Sequence, residues 1–295
     1  MRLHLVDGTF ELFRAHFSKR PGHRAPDGRE LKATAGLAES LLALLHDPGE
    51  AVTHAAIAFD RPIRSFRNHL FAGYKTEEGV PPELLAQLDE AEAAARALGL
   101  VTWPMAEFEA DDALATAAAR FRGEVEHVRI LTPDKDLGQC LSGAAVVQVD
   151  RVRDQVLDEA GLLARRGLRP ASVPDFLALV GDDADGIPGL PGFGEKSTAV
   201  LLGAFGHLEA IPRDPAAWPP GLRGADRLAA ALTAGLEEAL LYRRLATLVT
   251  TVPLAESLDD LRWRGLPRAE FEGWCDRVGA HRVLQAARAR PSRWA

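Results

Sequence analysis

Cysteine is almost missing from this 295-residue chain, which has only Cys140 and Cys275. With no C-x-x-C spacing, neither a disulfide framework nor a thiolate zinc site is indicated, and both thiols read as inert core residues. No stretch reaches the roughly 18 uninterrupted apolar residues of a membrane span. The amino terminus passes straight into a short apolar run ending at Asp7, so a soluble cytoplasmic protein is expected. Positive charge is also in short supply. The net charge of −7 argues against a nucleic-acid partner, which usually leaves a basic footprint. There is no internal repeat and no low-complexity tract beyond an alanine bias that favours helix. No Ser-His or Cys-His nucleophile is evident. At 47% hydrophobic, the chain can nevertheless bury the core of one large domain or two modest ones.

What the chain does have is acid in particular places. Nine carboxylates fall into five clusters: Asp7, Asp60, the group Glu109/Asp111/Asp112, the pair Asp134/Asp136 and the pair Asp182/Asp185. Taken singly, each is an ordinary turn or helix-start residue. Their joint placement is more informative. Asp7 follows Leu3-His4-Leu5-Val6, Asp60 follows Ala55 to Phe59, and Asp134/Asp136 follow Val128 to Leu131. Three groups thus lie just past the carboxyl ends of strands, and in an open parallel sheet those ends share the edge where ligands bind. A helix starting at the same edge would deliver Glu109, Asp111 and Asp112, with Glu109 and Asp112 on one face. So many like charges repel unless protonated or neutralised, and hard divalent cations take oxygen ligands, so the pattern points to magnesium or manganese. Setting these acids aside leaves a mildly basic remainder, with arginines near Arg61, Arg64 and Arg67, at Arg151 and Arg153, and at Arg223 and Arg227.

The periodicity predicts strands at 3–6, 52–59, 127–131 and 145–149, and helices at 34–46, 83–98 and 109–121. That alternation implies a mainly parallel α/β sheet up to about residue 170, followed by a helical region without strands. In the second region Gly189-Leu190-Pro191-Gly192-Phe193-Gly194-Glu195-Lys196-Ser197-Thr198 reads as a glycine-rich hairpin between two helices, the second beginning near Glu195 or Lys196. Its amides and Lys196 could face a phosphate.

Five stretches together carry a family resemblance: LVDGTFELFRA (5–15), AFDRPIRSFRNHLFAGYK (58–75), FEADDALAT (108–116), TPDKDL (132–137) and DFLALVGDDADGIPGLPGFGEKSTAVLL (175–202). In order and approximate spacing the chain resembles the bacterial 5′-nuclease family, that is, the 5′-to-3′ exonuclease domain of DNA polymerase I, its free-standing relatives and, more distantly, the flap endonucleases. The resemblance implies a PIN-like catalytic domain over 1–170 with a helical arch at about 62–98. It also implies a helix-hairpin-helix DNA-binding domain over 171–255 and a helical extension over 256–295.

By position, the resemblance implies a first metal held around Asp7, Asp60, Glu109 and Asp111. A second would be held by Asp111 or Asp112 with Asp134, Asp136, Asp182 and Asp185. Arg14 and Lys75 match basic positions near the scissile phosphate, and Phe13 replaces a common tyrosine. The DNA contacts implied are Phe13, Arg67, Lys75, Gly189, Gly192, Gly194, Lys196 and Ser197, with a potassium ion on carbonyls of the hairpin. The expected activity is structure-selective hydrolysis of DNA at 5′ ends, flaps or nicks, giving a 5′-phosphate and a 3′-hydroxyl, by a monomer whose polymerase partner would be a separate chain. One departure is Glu78, which stands where an arginine is common. Two alternatives stay open, action on RNA or RNA-DNA hybrids and a catalytically altered nucleic-acid-binding relative. A haloacid-dehalogenase-type phosphatase also reads D-G-T after a strand but needs an Asp where Leu5 stands.

Overall fold

The computed structural model describes residues 1–290 and Trp294. Its sheet comprises β1 (Arg2–Asp7), β2 (His54–Asp60), β3 (Val101–Met105), β4 (His127–Leu131), β5 (Val146–Asp150) and β6 (Gln155–Leu157), in the spatial order β3-β2-β1-β4-β5-β6. Strands β1 to β5 are mutually parallel and β6 returns antiparallel along β5. The helices of the first half are α1 (Gly8–Phe17), α2 (Lys32–Leu45), α3 (Arg67–Leu70), α4 (Pro82–Leu85), α5 (Leu88–Ala97), α6 (Ala110–Phe121) and α7 (Glu159–Arg166). Those of the second half are α8 (Val173–Val180), α9 (Glu195–Phe205), α10 (Ala225–Ala234), α11 (Leu236–Ala246), α12 (Arg268–Val278) and α13 (His281–Arg288).

The central strands read as continuous apolar runs because both of their faces are covered. Val6, Ile57 and Phe59 point into a core shared with α2, α5, α12 and α13, whereas Leu3, Leu5, Ala56 and Ala58 point into a second core against α6. Alanines along α6 (Ala113, Ala117, Ala118) let that helix lie close on the sheet. A third core, built on Phe176, Leu177, Leu201, Leu228 and Leu245, belongs to the helical layer α8 to α11. The chain then turns back to the sheet: the Trp263 N–H donates to the Thr53 carbonyl and the Ala55 N–H to the Leu261 carbonyl. Phe271 and Trp274 of α12 complete the first core. Among the described residues no helix is long and apolar enough to cross a membrane.

The sequence-based assignment lacks several elements, among them two strands and the first helix. Strand β3 carries Pro104 and lies at the sheet edge, where a missing N–H is tolerated but where proline also weakens the strand pattern. Strand β6 is only three residues long. Helix α1 opens with Gly8-Thr9 directly after a strand and has no polar loop to announce it. The expected arch is mostly packed structure: α5 buries Leu88, Ala91, Ala94 and Ala95 in the first core, and α3 and α4 are single turns. The part that borders the carboxylates is the non-helical stretch 75–80.

The stretch 75–80 is tied to the helical layer by a close backbone approach. The Lys75 N–H donates to the Asp185 carbonyl at 3.0 Å. Gly186, at φ +72°, leaves so little room that a Cβ there would sit 2.1 Å from the Gly73 oxygen. Gly186→Ala is expected to cost about 1–3 kcal/mol through strain and forced separation of the two segments. Urea denaturation of the purified variant checks it, with a midpoint equal to wild type as the contrary result.

Candidate active site

Strands β1, β2 and β4 are neighbours, so their carboxyl ends bring Asp7, Asp60 and Thr132-Pro133-Asp134 to one edge, at the place where the strand order reverses around β1. Asp7 caps α1: its Oδ1 accepts from the Phe10 N–H at 2.8 Å and its Oδ2 from the Thr132 hydroxyl at 2.9 Å. Asp60 is placed by the Ala110 N–H, which donates to Oδ1 at 2.8 Å, while its own N–H donates to Thr9 Oγ1. Asp134 accepts from the Asp136 N–H at 2.9 Å, which folds the two acids into one turn. The start of α6 contributes Glu109 and Asp111. The turn after α8, closed by reciprocal backbone bonds between Asp182 and Ile187, contributes Asp182 and Asp185.

Asp7, Asp60, Asp111, Asp134, Asp185 and Lys75 line a single open cavity of about 600 Å³. Phe13 and Glu78 stand on its wall. Carboxylate oxygens of Asp136, Asp182 and Asp185 lie within 4.8 Å of one another, and the buried Asp136 Oδ1 has no hydrogen-bond partner. Lys75 Nζ bridges Glu109 at 2.8 Å and Asp185 at 3.0 Å, and Lys135 Nζ contacts Asp182 at 2.9 Å.

The cluster holds its charge at a cost. Burial, then Asp60 and Asp134 beyond the hydrogen bonds that oppose them, push the Asp7 carboxyl up to about 7. Burial also raises Asp60, Asp111, Asp136 and Asp185, with neighbouring carboxylates adding to each. Glu109 differs. Burial alone would raise it, but Lys75 and Arg67 beside it hold it below the usual carboxylate range. An enclosure that disfavours ionised carboxylates, lined with oxygen donors and containing an unpaired buried Oδ1, fits hard divalent cations.

Four residues expected in the site lie elsewhere or act otherwise. Asp112 is fully buried, with Oδ1 accepting from Arg67 Nη2 and the Val249 N–H, and Oδ2 from Arg67 Nη1 and the Glu109 N–H. Its oxygens are thereby engaged by Arg67 and two backbone N–H groups, and Asp112 does not line the cavity. Arg67, expected to contact DNA, is only 1% exposed and also donates to Glu109 and to the Leu245 and Thr247 carbonyls. Its charge is spent inside the protein. Arg14 turns onto Glu11 and Ser40. Gly189 is buried at φ +70°, where a Cβ would sit 2.5 Å from the Gly181 nitrogen, so its role is tight packing behind the hairpin.

Gly192, Gly194 and Lys196 are exposed and Ser197 is half-buried, with Gly194 capping α9 and Ser197 Oγ accepting from the Gly194 N–H. Sequence reasoning missed the supporting groups. Thr132 orients Asp7, and the Tyr74 hydroxyl donates towards both Glu109 and Asp185 at 3.2 and 3.3 Å. Ser65 donates to Glu109 at 2.6 Å, and Lys135 neutralises Asp182. The signal for Thr132 and Lys135 was their position inside TPDKDL.

Known proteins share the sequence pattern and the fold of this chain. Residues 2–167 match the model of the 5′-3′ exonuclease N-terminal resolvase-like domain, and residues 168–269 match that of the 5′-3′ exonuclease C-terminal SAM fold. The chain belongs to the 5′-3′ exonuclease family. This exonuclease-family chain is 35% identical over 291 residues to DNA polymerase I of Pseudomonas aeruginosa, covering 92% of this chain and 31% of that one. It is 36% identical over 254 residues to the thermostable DNA polymerase I of Thermus thermophilus, covering 86% and 29%. It therefore spans about a third of the length of these curated relatives. Among solved structures, T5 5′-exonuclease with bound divalent zinc superposes with a TM-score of 0.67 at 19% identity, covering 97% of this chain and 100% of that one. Human GEN1 in complex with Holliday junction DNA gives 0.60 at 15%, covering 97% and 71%. The nuclease thus has the PIN-like, T5 exonuclease fold.

Two outcomes test the electrostatics. Arg67→Ala leaves Asp112 and Glu109 buried without their cation and is expected to lower stability by about 3–5 kcal/mol, read by chemical denaturation. A loss confined to DNA affinity, with unchanged stability, would contradict the buried role. The second concerns pH. Asp7 titrates near 7 in the folded chain but near 3.8 when exposed. Ionisation therefore opposes folding, and its contribution is lost as pH rises through this window. In EDTA, wild-type stability should fall between pH 5 and 8 by more than that of Asp7→Asn, and parallel profiles would refute the assignment.

Proposed function

We propose that the site hydrolyses DNA phosphodiesters at 5′ ends, flaps and nicks, releasing a 5′-phosphate and leaving a 3′-hydroxyl. The observation that carries this reading is the convergence of Asp7, Asp60, Asp111, Asp134 and Asp185 on one cavity, backed by Asp136 with its unpaired oxygen. Two magnesium or manganese ions would fit: Asp7, Asp60, Glu109 and Asp111 offer one set of oxygens, and Asp111, Asp134, Asp136, Asp182 and Asp185 the other. When bound, such ions lower the pKa of an attacking water and neutralise charge on the leaving 3′ oxygen.

The chain's own residues do the remaining work. Lys75 Nζ lies against Glu109 and Asp185 at the cavity wall, where release from either carboxylate lets it meet a phosphate oxygen. Phe13 presents a ring on which a base can stack. Thr132 and Tyr74 fix the orientation of Asp7, Glu109 and Asp185, which matters because phosphoryl transfer depends on in-line placement more than on a protein base.

The exposed hairpin Gly192 to Lys196 supplies amides and a lysine at the start of α9 for a duplex phosphate, and its carbonyls are the place for a potassium ion. Glu78 sets a negative charge beside the strand's path, weakening the hold on single-stranded 5′ ends. The polymerase relatives carry their matching region within one long chain, and a DNA polymerase is the partner this reading assigns to the nuclease, which acts as a monomer in the cytoplasm.

The test is cleavage of 5′-labelled flap, nicked, blunt and single-stranded DNA, and of an RNA flap, with and without magnesium. Asp111→Ala should reduce magnesium-dependent cleavage by at least about a hundredfold while preserving the fold, since it removes a ligand oxygen from the crowded site. Full activity in that variant would sink the two-cation assignment.

A further inference from the structure

The cavity of about 410 Å³ formed by the loop after α1, the start of α2 and the junction of α12 with α13 lies outside the acidic site. Its walls come from two segments remote in sequence, 20–39 and 279–283. They are pinned together: His23 Nε2 meets the Val278 carbonyl at 2.9 Å, and Pro26 packs against Gly279, where a Cβ would lie 3.2 Å from its ring. The enclosure is therefore a built feature of the fold.

Its charge runs against the chain's negative balance. Arg20, Arg24, Lys32 and Arg282 line it, and Glu39 is the one acid on its wall. Glu39 is offset by Arg20 at 3.2 Å. Lys32 Nζ is held by the His16 and Ser18 carbonyls at 2.7 and 2.8 Å, which fix the ammonium without cancelling its charge. Arg24 donates to the Gly28 carbonyl at 3.3 Å, which leaves its charge uncancelled, and its one acidic neighbour is the exposed Glu30 at 3.9 Å. Among the described residues the Arg282 and His281 side chains have no hydrogen-bond or ion-pair partner. Helix α13 begins at His281 on the same wall, adding the positive end of its dipole.

We propose that this cavity binds a phosphate group, and that its natural source is the backbone of the nucleic acid engaged at the carboxylates. The surplus of uncancelled cations selects an anion, and the forks of Arg24 and Arg282 suit phosphate oxygens. Helix α1 runs from Asp7 to the loop that forms the cavity, a span of ~15 Å for ten residues. Duplex DNA covers that in roughly four to five base pairs at ~3.4 Å each. The choice of source rests on the nuclease reading, whereas the phosphate site itself does not. The same chemistry is offered by a free mononucleotide, which a cavity of this volume admits.

The experiment compares Asp111→Ala with the triple variant Asp111→Ala/Arg24→Ala/Arg282→Ala, both in magnesium. Anisotropy measures affinity for a nicked-flap duplex across a salt series, and thermal melts are run with adenosine 5′-monophosphate. Removing the two guanidiniums is expected to weaken duplex binding roughly threefold to tenfold and to flatten the salt slope by about two phosphate contacts. Unchanged DNA binding, with the mononucleotide raising the melting temperature of the first protein and not the second, keeps the phosphate site and assigns it to a free ligand. Unchanged DNA binding with no difference in the mononucleotide melts overturns the proposal. Wild-type magnesium-dependent cleavage, measured separately, reports on the nuclease reading alone.

Discussion

Repulsion among carboxylates at the carboxyl edge of the parallel sheet is the constraint around which this molecule is arranged. Burial raises the proton affinity of Asp7, Asp60 and Asp111, and neighbouring carboxylates add to each. A protein can hold such a group only by fixing every acid through its neighbours. The backbone N–H groups of Phe10, Ala110 and Asp136 do part of this, as do the Thr132 and Tyr74 hydroxyls. Two lysines, Lys75 and Lys135, supply internal countercharge at the rim.

A second set of charges serves a different purpose. Arg67, Asp112 and Glu109 form a buried knot that also takes in the Leu245 and Thr247 carbonyls and the Val249 N–H. The knot joins the start of α6 to the end of α11, so one helix start serves the site with Glu109 and Asp111 and the architecture with Asp112. The division follows from helix geometry, because adjacent positions point about 100° apart. Buried ion pairs add little net stability, yet losing one partner is severe, so such a knot fixes a position more than it strengthens the fold.

The parallel sheet and the convergence of the acids were legible because strand ends are marked by apolar runs closed by Asp, and because parallel order forces those ends together. Helix α9 began where Gly194 and Glu195 said it should. The roles of Arg67 and Asp112 were not legible: an Arg among other arginines looks like surface, and only the fold shows that Leu245 and Thr247 lie beside it. Strand β3 was hidden by Pro104, whose meaning depends on whether the strand is central or at an edge. Gly189 read as part of a phosphate loop because sequence does not distinguish a glycine needed for approach to a ligand from one needed for approach to Gly181. The supporting hydroxyls of Thr132, Ser65 and Tyr74 follow no periodicity, and their function exists only through the partner each one meets.

The short turn from Asp182 to Ile187 has a mechanical consequence. It carries two of the site's acids, its Asp185 carbonyl holds the Lys75 amide, and Gly186 lies against Gly73 with no slack. It is also the first segment after α8, and eight residues later the chain enters α9. Asp182, Asp185 and the Lys75 amide are therefore tied to the α8–α9 junction through backbone alone, so a displacement of that junction would move them together. The spacing of these acids is thus set as much by the seat of a helical turn as by the sheet edge they face.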